Sequence, residues 1–153
     1  MKEKILELIK DLDFKLYSHE PAETSEDVAK IRGTDPKIGA KAIIVRSKGK
    51  FYQLILRGTD KIDSKKIKAN TGIKKFSFIS EVELNQNFNL ERGAVPPFGK
   101  IIPNIEEAYL ETSLAAEEFL AFNIGTKTDS IKIKSEDLIN LVKPVIIEFK
   151  EWF

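Results

Sequence analysis

Ala40-Lys41-Ala42-Ile43-Ile44-Val45-Arg46-Ser47 is followed by Lys48-Gly49-Lys50 and then by Phe51-Tyr52-Gln53-Leu54-Ile55-Leu56-Arg57. This stretch decides the fold. Two apolar runs of strand length flank a short segment centred on glycine, which predicts a strand over 40–47, a turn at 48–50 and a second strand over 51–57, joined as a hairpin.

Upstream, Ile5, Ile9 and Leu12 fall on one face of an amphipathic helix over 2–12. An extended segment follows over 14–19. Thr24 with Asp27 three residues later has the form of a capping box, opening a helix through Val28, Ala29 and Ile31 that Gly33 closes. Downstream, Asp63 or Ser64 caps a basic helix ending near Gly72, and 76–79 is extended. Ser80 and Glu83 form a second capping box. Strands are expected over 105–110, 118–123 and 130–134. Ser135 is expected to cap a helix over 136–141. The alternation of Val145, Ile147 and Phe149 suggests a last strand, with a helix as the alternative. Strands and helices alternate without a regular βαβ rhythm. The expected class is therefore a mixed α/β (α+β-like) domain over 1–153: a mostly antiparallel or barrel-like sheet with helices around it.

Composition narrows the chemistry. The 153 residues suffice for one hydrophobic core. Without cysteine, thiolate nucleophiles, disulfides and Cys-based metal sites are excluded. With His19 as the sole histidine, a protein-only zinc site or a Ser-His-Asp device is strained. The N-terminus mixes both charges and no apolar run approaches a membrane span, so a cytoplasmic protein is expected. A net charge of +1 gives no global attraction to nucleic acid, and any RNA contact must be local.

Several residues could carry chemistry. Lys41 opens an apolar strand, where desolvation would lower its pKa, or it is a surface lysine flanking that strand. Gly93-Ala94-Val95-Pro96-Pro97-Phe98-Gly99 is a loop stiffened by two prolines. The N–H groups of Gly93, Ala94 and Val95 could grip an oxyanion, or the segment is a structural turn. His19 is a base, a ligand or a structural residue. Asn123 offers an amide to a substrate or starts the turn toward Gly125. Lys61, Lys65, Lys66, Lys68, Lys74 and Lys75 form either an RNA contact or a solvated face. From spacing alone, these features do not reach a function.

Their order adds information. Tyr17-Ser18-His19-Glu20, Thr24 to Ala29, Lys41 to Val45, Leu56-Arg57-Gly58-Thr59-Asp60, the loop from Gly93 to Gly99, and Phe122-Asn123-Ile124-Gly125 together resemble the YbaK and prolyl-tRNA synthetase associated domain family. That resemblance implies a mixed sheet with surrounding helices and a trans-editing aminoacyl-tRNA deacylase, acting without metal or cofactor. Lys41 matches the family's lysine, which orients the substrate's terminal adenosine or its phosphate. Gly93, Ala94 and Val95 match the element whose amides anchor the aminoacyl ester. The resemblance extends the substrate-binding surface to His19, Thr24, Pro97, Phe98, Gly99, Asn123 and Gly125. Lys61, Lys65, Lys66 and Lys68 become the candidate RNA contact. The implied partners are a mischarged tRNA, such as tRNA-Pro bearing a small amino acid (Ala, Ser or Cys), and prolyl-tRNA synthetase.

Alanine-specific members of the family carry a histidine where this chain has Asn123, so the resemblance leaves the amino acid open. Two rival readings stand beside the deacylase. One is a YbaK-fold module that binds tRNA, a nucleotide or a synthetase without catalysis. The other is a hydrolase of a different small activated ester.

Overall fold

A computed structural model describes residues 1–22 and 24–152. In chain order the elements are α1 (Lys2–Ile9), β1 (Phe14–Ser18), α2 (Ser25–Arg32), β2 (Ala40–Ser47), β3 (Lys50–Arg57), α3 (Ser64–Thr71), β4 (Ser77–Phe78), α4 (Glu81–Phe88), β5 (Ile105–Glu111), α5 (Thr112–Ala115), β6 (Phe119–Asn123), β7 (Asp129–Lys134), α6 (Ser135–Val142) and β8 (Val145–Ile147). Single 3-10 turns lie at Pro36–Ile38 and Gly99–Ile101. No helix among the described residues is long and apolar enough to cross a membrane.

The hairpin forms as expected. β2 and β3 pair antiparallel, from Ala40 opposite Arg57 to Ser47 opposite Lys50. Lys48 (φ 50°) and Gly49 (φ 76°) make the turn. Two positive φ values in a two-residue loop match the twist of the flanking strands. The caps also form. Thr24 accepts from the Asp27 amide and Gly33 ends α2 at φ 73°, while Ser80 and Glu83 satisfy each other's backbone at the start of α4. Ser135 differs from expectation. It lies inside α6, and its hydroxyl donates to the Glu117 carbonyl instead of capping the helix.

The pairing is mixed and mostly antiparallel, but the strands divide between two sheets. One has the order β4-β2-β3-β5-β8, with β5 parallel to both β3 and β8. The other is antiparallel, β1-β7-β6. A parallel bridge from Gly39 to Ala121 links them at the start of β2.

The main core lies between the two sheets. Ile44, Ile55 and Leu110 meet Leu120, Phe122, Ile131 and Ile133, closed off by Ile5 and Ile9 of α1. A second cluster covers the other face of the larger sheet, where Val45, Leu54 and Leu56 pack on Ile67 of α3 and on Phe149. β3 therefore alternates between two apolar environments, which is why its sequence runs apolar without a polar face.

One polar residue interrupts that run. Gln53 is fully buried. Its Nε2 donates to the Pro96 carbonyl (2.9 Å), and its Oε1 accepts from the Gly99 amide (2.8 Å). A buried side-chain amide is stable only when so paired. Gln53 thus pins the glycine-proline loop onto the central strand.

Candidate active site

The fold leaves one edge of β2 uncovered. β4 pairs with β2 only at Val45 and Arg46, so among the described residues no strand lies beside 40–43 on that side. The Ile44 carbonyl turns to this edge, accepting from the Ile79 amide. Backbone groups of alternate residues in a strand point the same way. Ala42 therefore presents its own N–H and C=O to the open edge.

A cavity of about 310 Å³ sits there. Its walls are α2 (Ser25, Val28, Arg32) with Thr24, the β2 edge, the loop residues Arg92, Gly93 and Val95, and the end of β6 (Phe122, Asn123).

Lys41 lines this cavity. Its Nζ donates to the Gly58 carbonyl (3.1 Å) and the Asp60 carbonyl (2.7 Å). Burial lowers its pKa; the nearby Asp60 charge works against that and Lys61 adds to it. An ammonium has three donors. With two held by backbone carbonyls, the head group is fixed in place and keeps a donor for a ligand.

The loop contributes amides. Gly93 takes φ 85°, a left-handed conformation open to glycine. The N–H groups of Gly93 and Val95 have no acceptor among the described residues. Ala94 departs from expectation: its N–H donates to the Glu91 carbonyl (3.1 Å), and its carbonyl accepts from Gly125 (2.9 Å). Ala94 is thus a structural member of the loop. Asn123 clamps the same loop, its Nδ2 donating to the Gly93 carbonyl (2.7 Å). Its Oδ1 is buried without a partner among the described residues.

Arg32 was not legible as a site residue, yet it lines the cavity and is 9% exposed. Among the described residues its Nε and Nη1 have no hydrogen-bond partner. Burial pushes its pKa down to about 10, partly offset by Tyr17, so it stays a cation at neutral pH. One signal in the sequence pointed inward. Arg32 follows Val28 by four residues and Ala29 by three, which puts it on their helical face.

A family model for the aminoacyl-tRNA editing domain matches residues 19–141. The chain belongs to the aminoacyl-tRNA editing domain family. The match spans α2, the β2–β3 hairpin, the loop and Asn123, hence every wall of the cavity. A curated relative, the multifunctional Ser/Thr-tRNA deacylase ProXp-y of Escherichia coli K12, is 28% identical over 144 residues, covering 90% of this chain and 84% of its own. The prolyl-tRNA editing protein ProX of Acetoanaerobium sticklandii is 30% identical over 138 residues, covering 86% and 83%. The crystal structure of the hypothetical protein APE2540 superposes with a TM-score of 0.85 at 20% identity, over 97% of this chain and 99% of that one. It shares the fold.

The editing domain brings Lys41, Gly93, Val95, Asn123 and Thr24 to one cavity. The other expected residues lie outside its lining. His19 is held by the Glu20 carbonyl and the Ser130 hydroxyl, each at 2.9 Å. Pro97, Phe98 and Gly99 are buried supports of the loop. Phe98 meets Phe122 edge-on at 6.0 Å. At Gly99 an added Cβ would fall 2.9 Å from the Ala108 Cβ. Gly125 tethers Ala94. Lys65, Lys66 and Lys68 lie in α3 and Lys61 just before it, and none of the four lines the cavity, although the Lys61 charge reaches Lys41. Lys66 is engaged by Glu148 (3.0 Å) and the Lys150 carbonyl (2.8 Å).

Proposed function

We propose that this editing domain acts in trans as an aminoacyl-tRNA deacylase, hydrolysing the ester between tRNA-Pro and a small amino acid of the size of Ala, Ser or Cys. The observation that carries this reading is the convergence of Lys41, Gly93, Val95 and Asn123 on one small cavity. The names of ProXp-y and ProX, a tRNA deacylase and a prolyl-tRNA editing protein, support it. So do the narrow walls of Val28, Ala40 and Ala42, which suit a short side chain. Prolyl-tRNA synthetase is the enzyme that would hand over such a substrate, and the cytoplasm is where the exchange would take place.

The chemistry needs little from side chains. Water attacks the ester carbonyl carbon, and the carbonyl oxygen gains negative charge. The Gly93 and Val95 amides would hold that oxyanion; one preorganised donor of this kind is typically worth about 3–4 kcal/mol. The C–O bond to the ribose then breaks. Its 3′-oxygen takes up a proton, releasing the amino acid and a tRNA with a free hydroxyl. A neighbouring ribose hydroxyl would orient the water, so the substrate supplies what a catalytic histidine would. Lys41 would fix the terminal nucleotide, contributing positioning.

RNA as the substrate makes a salt prediction. Contacts to phosphates release counterions on binding. KM for a mischarged tRNA should therefore rise several-fold between about 50 and 200 mM salt, with kcat little changed. Initial rates across that range check it. A flat response would point instead to a small activated ester with no RNA.

A further inference from the structure

The Lys41 ammonium is fixed by a turn, and that turn is held by a side chain outside the cavity. Gly58 and Asp60 supply the two carbonyls, 3.1 and 2.7 Å from Lys41 Nζ. Two backbone bonds shape the turn. The Gly58 amide donates to the Gly39 carbonyl (2.8 Å), and the Asp60 amide to the Arg57 carbonyl (3.0 Å).

The Arg57 guanidinium adds the rest. Its Nε donates to the Lys37 carbonyl (2.7 Å) and its Nη1 to Asp60 Oδ2 (3.2 Å). Its Nη2 donates to Glu117 Oε2 (3.1 Å) and to the Ser113 carbonyl (3.4 Å). Lys37 belongs to the 3-10 turn that leads through Gly39 into β2. Arg57 therefore grips both partners of the Lys41 contact: the segment that delivers Lys41, and the turn that receives its ammonium. Ser113 of α5 and Glu117 just beyond it anchor the guanidinium in turn. The Arg57 side chain is only 15% exposed, so these contacts are weakly screened.

The same contacts decide where the Asp60 charge goes. Its carboxylate is taken by Arg57 and lies 3.9 Å from Lys150 Nζ. Among the described residues, Lys41 thus meets the Asp60 carbonyl and not its carboxylate, which leaves the ammonium's charge for a ligand. A planar guanidinium serves acceptors in several fixed directions at once, which a lysine of equal charge does not.

We propose that Arg57 is a positioning residue: by tying Lys37 and Asp60 together it sets where the Lys41 ammonium stands, without lining the cavity itself. The reaction it serves rests on the deacylase reading.

The test reads Lys41 directly as well as the rate. Ammonium protons held by carbonyls exchange with water more slowly than free ones. The Lys41 Nζ–H signal should therefore be visible by NMR in the wild-type chain at low temperature and mildly acidic pH, and its loss in Lys41→Ala assigns it. Arg57→Lys keeps the charge and loses the fork, and in it that signal should broaden away. Deacylation by the folded variant should slow about 10- to 100-fold, the scale set by a misplacement of up to about 1 Å. In a Lys41→Ala background the same substitution should cost little more, because residues acting through one another are not additive. If Arg57→Lys does not fold, Asp60→Ala takes its place, since it keeps the backbone carbonyl and leaves Arg57 its Glu117 partner.

An unchanged Lys41 signal in the folded variant overturns the proposal, whatever the rates. So does the absence of that signal from the wild type, for there is then no fixed ammonium to position. An equal fractional loss of rate with Lys41 present and absent overturns it too, marking Arg57 as a support of the fold alone. If the signal behaves as expected but the wild type leaves mischarged tRNA uncleaved, the deacylase reading fails and the link from Arg57 to Lys41 stands.

Discussion

Lys41→Ala should lower the rate of deacylation by about 100- to 1,000-fold, the range seen when one preorganised charged or polar donor is removed from a site. The Lys41 ammonium is held by the Gly58 and Asp60 carbonyls, so its position is set before substrate arrives. Such preorganisation is what makes a single donor costly to lose. The alternative role, a lysine that merely ties the end of β3 to β2, predicts a different pattern. Removing a tie between a charged donor and backbone carbonyls would cost stability, about 1.5–3 kcal/mol, with activity falling only as the folded fraction falls. Rates measured well below the melting temperature, beside a melt of the same sample, separate the two. A variant that is folded and fully active would remove Lys41 from the site.

Gly58→Ala should damage the site from the opposite wall. A Cβ at Gly58 would lie 2.3 Å from the Ser25 hydroxyl oxygen and 2.5 Å from the Ser25 Cβ. The hydroxyl can rotate away, but the Cβ is fixed to the backbone of the first residue of α2. The helix itself must shift, carrying Val28 and Arg32 with it. Overpacking of this kind costs about 1–3 kcal/mol, a fall in melting temperature of roughly 2–4 °C per kcal/mol at this chain length. Activity should drop more than the stability loss explains, because Gly58 also supplies the carbonyl that holds Lys41. The double variant Ser25→Gly with Gly58→Ala removes the clash and should recover most of both losses. A Gly58→Ala variant with unchanged melting and unchanged activity would show that α2 does not pack as described.

Local signals explain how much of this was readable beforehand. The hairpin, the Thr24 cap, the Ser80–Glu83 box and the stop at Gly33 are written in residues a few positions apart, and each forms. The division into two sheets is not local. It depends on β3 pairing with β5 across more than forty residues, and on the Gly39–Ala121 bridge. α5 and the 3-10 turns are too short to show a period. In the site, Lys41 and the loop stood out by residue type, and Asn123 by its place at a strand end. Arg32 did not, because a charged residue at the end of a helix reads as solvent-facing. Its burial, with the guanidinium beside Gly39 just before β2, is a tertiary contact. The lysines around α3 were legible as a dense basic stretch, but not where that stretch lies in the fold. Their density fits an RNA contact or a solvated face alike, and the helix packs through Ile67 on the far side of the larger sheet from the main core.

Gln53 shows the limit most clearly. In the sequence it is one polar residue in an apolar strand. In the fold it holds both ends of the segment from Pro96 to Gly99. The rigidity of the loop, inferred from its prolines, thus comes equally from a side chain more than forty positions away.

The most direct test of the account is the rate at which the wild-type chain releases amino acid from tRNA-Pro charged in turn with serine, threonine, alanine, cysteine and proline, each against its spontaneous hydrolysis. The account predicts release well above the spontaneous rate for the small amino acids and none above it for proline. Release at the spontaneous rate for every amino acid would contradict it.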